Sequence, residues 1–294
     1  MKCGFVSLVG RPNVGKSTLL NEILERKVAI TSSKAQTTRN IIQGIYTDEE
    51  CQIIFIDTPG IHKPKNKLGN MLNKKAYIMT EQVDLVLFLV DVEKGIGKGD
   101  LFILNNLKEE KKNVILVLNK VDRIPKEKIL GIIDSVKDLY DFKEIVPISA
   151  LKGDNVDALK KAILPYLNDS AMYYDKEEVT LVSREFMLSE LLREKVLRLT
   201  KEEVPHAVTC YIEQIEEEKE IVNISAVIIV DRDSLKKIII GKNGQMLKNI
   251  GMKARKDMEA FLGKKVYLET YVKTINNWRE REKYLVELGF KDFE

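Results

Sequence analysis

"FVSLVGRPNVGKSTLLNEIL", residues 5–24, carries the reading of the fold. An apolar run ends at Gly10, a turn holding Pro12, Asn13 and Val14 follows, and a helical apolar rhythm starts after Lys16. Strand, glycine turn and helix form the setting in which Gly-x-x-x-x-Gly-Lys-Ser, here Gly10 to Ser17, cradles phosphate. Gly10 and Gly15 let successive backbone N–H groups turn inward on the phosphate oxygens. The positive end of the following helix adds to that field. Asn13, Val14, Gly15 and Thr18 lie along this cradle, Lys16 brings a point charge to the outer phosphates, and Ser17 offers a hydroxyl to Mg²⁺. A chance glycine turn capping a helix is the plain alternative.

Outward from this turn, residues 1–168 alternate short strand-like runs with helical periods, the pattern of an α/β domain with a mainly parallel sheet. "NIIQGIYT" and "CQIIFIDTPG" flank "DEE" as an antiparallel hairpin at one edge. "VDLVLFLVDV", "NVILVLNKVD" and "EIVPISA" are apolar runs with polar ends, and in such sheets the ligand sits beyond those ends. In "DTPG" (57–60), Asp57 is expected to hold Mg²⁺ through water and the Gly60 amide to sense the terminal phosphate. In "NKVD" (119–122), the Asp122 carboxylate suits the N1–H and 2-amino donors of guanine. Adenine has neither, and a site built on such donors discriminates by roughly 10⁴. Asn119 is assigned to the other edge of the base and Lys120 to its face. In "SAL", Ser149, Ala150 and Leu151 close the site, with the Ala150 amide donating to the 6-oxo group. Four such motifs in order, each at a strand's polar end, resemble the P-loop GTPases and imply GTP and GDP as ligands with Mg²⁺ as cofactor.

Many GTPases place a Gln after Asp-x-x-Gly to orient water; here the residue is Ile61, which cannot. His62 follows, either a base or a surface residue. The chain resembles those GTPases with a hydrophobic residue at this point, among which an Asn in the phosphate loop, here Asn13, is linked to K⁺. Slow turnover, stimulated by K⁺ or by a partner, is the expectation. Lys16, Thr38 and Gly60 form the expected catalytic set, and Ser17, Thr38 and Asp57 the metal set. Thr38 in "TSSKAQTTRN" is the chosen switch threonine, with Thr37 as its rival. "IHKPKNKLGNMLNKK" is a second mobile segment, either a solvated face or a surface reporting nucleotide state.

The 294 residues are ample for two domains. No apolar run approaches the roughly 20 residues needed to span a bilayer, and the N-terminus enters a strand pattern at once, arguing against a secretory signal. Cys3, Cys51 and Cys210 have no metal-type spacing and read as reduced packing residues of a cytoplasmic protein. The net charge of +3 conceals an acidic stretch at 213–220 and a basic excess over 231–265, ten Lys/Arg against four Asp/Glu. Such a segregation is a solvated face or a polyanion-binding one.

Residues 169–181 are polar and without period, a linker. The domain 182–294 opens on an amphipathic helix, "SREFMLSELLREKVLRLT", with Phe186, Leu188, Leu191, Leu192, Val196 and Leu199 on one side. Two strands, a short helix, Gly241-Lys242-Asn243-Gly244, a long helix and a strand follow. This second glycine turn lacks both the preceding strand and the Lys-Ser/Thr of a phosphate cradle. Taken alone it is a helix-turn-helix. Taken in order, the elements and "IIIGKNGQMLKNIG" resemble a smaller α+β KH domain of type II. Such a module implies single-stranded RNA: the glycines let the loop approach the sugar-phosphate backbone, and an apolar groove takes about four nucleotides. Lys236, Gly241, Lys242, Asn243, Gly244 and Lys248 are the RNA-binding candidates, with the basic excess supplying salt-dependent affinity.

A GTPase domain followed by one KH module, with "GRPNVGKSTLLN", "KAQTTR", "DTPGIHKPK", "NKVD", "SAL" and "IIGKNGQMLK", resembles the Era family along nearly the whole chain. The resemblance implies a monomeric, cytoplasmic ribosome-assembly factor that binds 16S rRNA near its 3′ end, within the 30S subunit. It implies that the GTP form favours RNA and that turnover releases it. It implies that "KTINNWRERE" helps to recognise pyrimidine-rich RNA, although Trp278 suits a core equally well. Peripheral membrane association is a further implication that no residue pattern supports. Two rival readings stand beside it: an RNA-binding scaffold with GTP as a structural ligand, and a membrane-surface switch.

Overall fold

The computed structural model describes residues 1–34 and 36–290; the last four residues of the expected second domain, 291–294, lie outside the described residues. Two compact units emerge. The first comprises Met1–Ala29, Thr38–Pro64 and Gly69–Leu181; the second comprises Ile30–Thr37, Lys65–Leu68 and Val182 onward.

In the first unit, β1 (Lys2–Val9), β2 (Ile42–Thr47), β3 (Cys51–Asp57), β4 (Leu85–Asp91), β5 (Val114–Asn119) and β6 (Glu144–Ile148) lie in the order β2-β3-β1-β4-β5-β6. All neighbours are parallel except the edge hairpin β2–β3. The central strands are buried on both faces, so they are β-branched and leucine-rich throughout rather than alternating. Helices α1 (Lys16–Ile23), α2 (Lys67–Glu81), α3 (Lys98–Glu109), α4 (Glu127–Val136) and α5 (Val156–Ile163) make the crossovers. Each apolar run stops at a polar residue because only the strand's end meets solvent or ligand. Hence Asp57, Asp91, Asn119 and Ser149 collect along one rim.

The segment read as a linker is ordered against this sheet. β7 (Asn168–Asp169) pairs antiparallel with β1. The fully buried Gln52 accepts the N–H groups of Tyr173 (2.7 Å) and Tyr174 (3.0 Å) on Oε1, and its Nε2 donates to the Tyr174 carbonyl (2.9 Å). The Ile45 N–H donates to Val179 O at 2.8 Å, so the strap covers the β2 edge. A polar chain without period can therefore be fixed, provided a buried amide satisfies its backbone.

In the second unit, α6 (Arg184–Leu199), α7 (Val204–Ala207), β8 (Val208–Glu217), β9 (Ile221–Val230), α8 (Asp233–Ile240), α9 (Gln245–Leu262), β10 (Lys265–Thr274) and α10 (Glu282–Glu287) follow in order. The sheet runs β10-β9-β8, with β9–β10 parallel and β8–β9 antiparallel. Leu188, Leu192, Val196, Ile239, Ile250 and Ala254 join its inner face in one core. Sequence alone gives α6 one apolar stripe; in the structure Met187 through Leu197 are buried all round, charged residues included.

Candidate functional site

Gly15 caps α1 in the left-handed region, φ 105°, and a Cβ there would fall 2.2 Å from Asn119 Nδ2. Only glycine permits that turn, and the turn puts Lys16, Ser17 and Thr18 in the helix's first turn. Lys16 is buried, its Nζ donating to the carbonyls of Gly10 and Arg11, both at 3.2 Å. Burial pulls its pKa down to about 8, against the opposing pull of Asp57. Ser17 Oγ donates to Asp57 Oδ2 at 2.5 Å and lies 2.7 Å from Thr38 Oγ1, which itself stands 3.3 Å from that carboxylate oxygen. Thr37, the rival, instead donates its hydroxyl to Lys34 O at 2.7 Å.

Asp57 is 0% exposed, and its Oδ1 has no hydrogen-bond partner among the described residues. Burial raises its pKa, with Lys16, Ser17 and Thr38 acting the other way. Two hydroxyls and one carboxylate with an orphaned oxygen fit a small hard cation that keeps waters and takes its remaining ligands from phosphate. Among the described residues no group of three or more His, Cys, Asp or Glu is placed to hold a metal ion.

At the base end, Asp122 is exposed and accepts the Ser149 hydroxyl at 2.6 Å. Asn119, expected at the other edge of the base, is also engaged within the protein. It is 2% exposed; its Nδ2 donates to Val14 O at 2.8 Å, and its Oδ1 accepts the N–H groups of Lys120 (2.8 Å) and Ala150 (3.0 Å). It rivets the phosphate loop to the two base loops, the Ala150 amide donating to its Oδ1. Leu151 is exposed. Lys120 is pinned as well, its Nζ donating to Asn13 O (2.8 Å) and Asp91 Oδ2 (2.6 Å). Asp91 was missed from sequence; the one available sign was its place as the polar terminus of the β4 run.

Behind Gly60, Ile61 is buried among Val9, Ile56 and Val90, and its N–H donates to Gly10 O at 3.2 Å. His62 Nδ1 lies 2.9 Å from Gly60 O, and Asn73 Nδ2 donates to the His62 carbonyl at 2.7 Å. The ring is thus engaged with the loop itself.

In the second unit, Gly241 (φ 71°), Asn243 (φ 52°) and Gly244 (φ 74°) all have positive φ, and a Cβ on Gly241 would come 2.7 Å from that of Met246. The turn projects Lys242 and Asn243 into solvent. Beyond it, a groove of about 380 Å³ runs between α9 and β10, with Leu247, Met252 and Leu268 beside Lys248 and Arg255, and with Gly244 at one end. Lys236 is half-buried on α8, apart from that lining. Trp278 belongs to the core: it is fully buried, its Nε1 donates to Ala207 O at 3.1 Å, and it stacks on Phe290.

Comparison with known proteins follows the same two-part division. Residues 5–120 match the family described as 50S ribosome-binding GTPase, and residues 203–279 match the KH domain family. Over 99% of both chains and at 43% identity, the protein is similar to a variant of Era from Aquifex aeolicus bound to GDP·AlF4⁻, with a TM-score of 0.95. At the same identity and coverage it is similar, with a TM-score of 0.96, to Era in complex with MgGDPNP and nucleotides 1506–1542 of 16S ribosomal RNA.

Proposed function

The chain belongs to the Era family of GTPases, and from that premise we propose that it is a GTP-hydrolysing switch that grips the 3′ end of 16S rRNA during assembly of the 30S subunit. What supports the reading is the pairing in one chain of a glycine turn that sets Lys16 and Ser17 beside Asp57, suited to phosphate and metal, with a Gly241–Gly244 turn opening on a basic-edged groove. GTP binds with Mg²⁺, which would be held by Ser17, Thr38 and, through water, Asp57. When bound, the ion supplies charge to the phosphates; the chain's own residues orient and enclose them. Lys16 presents its ammonium to the outer phosphates, and the Gly60 amide is assigned to the terminal one. Asn119 and Lys120 hold the base loops in register, leaving Asp122 to read guanine.

Ile61 cannot direct water, so turnover depends on a further charge, which we assign to K⁺ near Asn13 or to the bound RNA. No helix among the described residues is long and apolar enough to cross a membrane; we assign the protein to the cytoplasm as a monomer, with any membrane contact peripheral.

The test is binding of an oligoribonucleotide copying the 3′ end of 16S rRNA, measured with the chain empty, with GDP and with GDPNP. Tighter binding with GDPNP supports the switch, and equal affinity in all three states refutes it. Multiple-turnover phosphate release in K⁺ against Na⁺ buffers checks the ion, and equal rates remove it. Asp122→Asn should move preference from guanine to xanthine nucleotides; unchanged specificity would remove Asp122 from the base site.

A further inference from the structure

In the second unit, β10 alternates strictly between the two faces of its sheet. Val266, Leu268 and Val272 pack inward, while Tyr267, Glu269 and Tyr271 stand exposed on the outer face. Tyr267 pairs with Asn223 of β9 and Glu269 with Ser225; across β9, Asn223 pairs with Glu216 of β8 and Ser225 with Gln214. A register shift between Ile212 and Gln214 gives β8 one extra residue there, so Ile215 turns to the core while Gln214 and Glu216 turn outward. These six side chains line a concavity of about 250 Å³, and none of them is basic. Tyr267 and Tyr271 are 54% and 52% exposed.

The donors of this face are spent on its own acids. Tyr267 donates its hydroxyl to Glu269 Oε1 at 3.1 Å and Tyr271 donates to Oε2 at 3.0 Å, so one carboxylate holds two exposed rings. Gln214 Nε2 donates to Glu216 Oε1 at 2.8 Å, and Asn223 Nδ2 to Glu218 Oε1 at 3.1 Å. Glu269 pushes both phenol pKa values up, first through these hydrogen bonds and then by its charge. What remains is acceptor capacity, on two carboxylates and on the amide oxygens of Gln214 and Asn223. A polyanion is repelled by that set. A guanidinium is matched by it, with its planar fork of N–H donors and a face that stacks on an aromatic ring. Tyrosine is also among the residues enriched at the energetic centres of protein interfaces, and here two are held ready in solvent.

We propose that this outer sheet face is a docking site for a basic protein segment, one arginine of which enters the concavity, pairs with Glu216 and Glu269 and stacks on Tyr267. Charge complementarity selects the occupant: the acceptors call for a cation with several donors, and the ring calls for a planar one. The site shares no residue with the groove between α9 and β10, whose β10 residues, Leu268 and Thr270, lie on the opposite face of the strand. It therefore stands apart from the RNA reading of that groove.

The test titrates the full chain, isotope-labelled, with a capped pentapeptide of alternating glycine and arginine and with its lysine counterpart, following amide chemical shifts. Shifts are expected at residues 214–216, 223–225 and 267–271, with the arginine peptide binding about fivefold tighter than the lysine one. Glu216→Gln combined with Glu269→Gln keeps shape and removes charge, and should weaken the arginine peptide about tenfold. Tyr267→Ala, on an exposed ring, should weaken it about fivefold through loss of the stacked face. GTP affinity and affinity for the 16S 3′-end oligoribonucleotide should stay within about twofold of wild type in both variants, as for sites that share no partner. Unchanged peptide affinity in the double glutamine variant overturns the site, as do shifts centred on the groove between α9 and β10. Equal affinity for the two peptides reduces the contact to net charge and overturns the arginine pocket. Loss of RNA affinity in Tyr267→Ala overturns it as well, by making the face a nucleic-acid contact.

Discussion

Asn119→Asp separates two roles that sequence reasoning cannot distinguish. If Asn119 serves only as a base contact, the substitution acts only when nucleotide is present. If it is the rivet seen here, the free protein suffers as well. Aspartate keeps an oxygen for the Lys120 and Ala150 amides but places a second oxygen where Nδ2 now donates to Val14 O at 2.8 Å. One buried hydrogen bond is lost, about 1 kcal/mol, and Val14 O is left facing an acceptor, a further ~1–3 kcal/mol. The sum is about 2–4 kcal/mol, confined to the first unit. For a unit of this size each kcal/mol lowers Tm by roughly 2–4 °C. Calorimetry of nucleotide-free protein should therefore show the first unit's transition lowered by roughly 4–16 °C, with the second unit's unchanged. A free-protein Tm within a degree of wild type, beside collapsed GTP affinity, would refute the rivet and leave Asn119 a base contact alone.

Three further outcomes are expected. Because burial holds Lys16 near a pKa of about 8 and nucleotide phosphates favour its charged form, GTP binding should take up a proton. Affinity should fall as pH rises through that value, about tenfold between about pH 7 and 9, and calorimetry in buffers of different ionisation enthalpy checks this; no proton uptake at about pH 8 contradicts it. Gln52→Ala should free the 173–179 strap, seen as faster amide exchange at Tyr173 and Tyr174 with β1 and β4 protected. Burial, reinforced by Asp48, pushes the Cys51 thiol up to about 12, so iodoacetamide at about pH 8 should leave it unmodified in the native protein and label it once guanidinium unfolds the chain.

The strand rims were legible because a fully buried parallel strand can end only where a polar residue becomes tolerable, which is why Asp57, Asn119 and Ser149 announce a site in one dimension. The glycine turns were legible for a similar reason, their backbone angles excluding most other residues. What was hidden is pairing. Periodicity identifies Leu188, Leu192 and Val196 as core, but it cannot say that Glu190, Arg193, Glu194 and Lys195 neutralise one another and pass inside too. Gln52 sits unmarked in "CQIIFID" while anchoring a strap more than a hundred residues distant. Asn119 also ties down Val14 O and the Ala150 N–H, partners that become its neighbours only after folding.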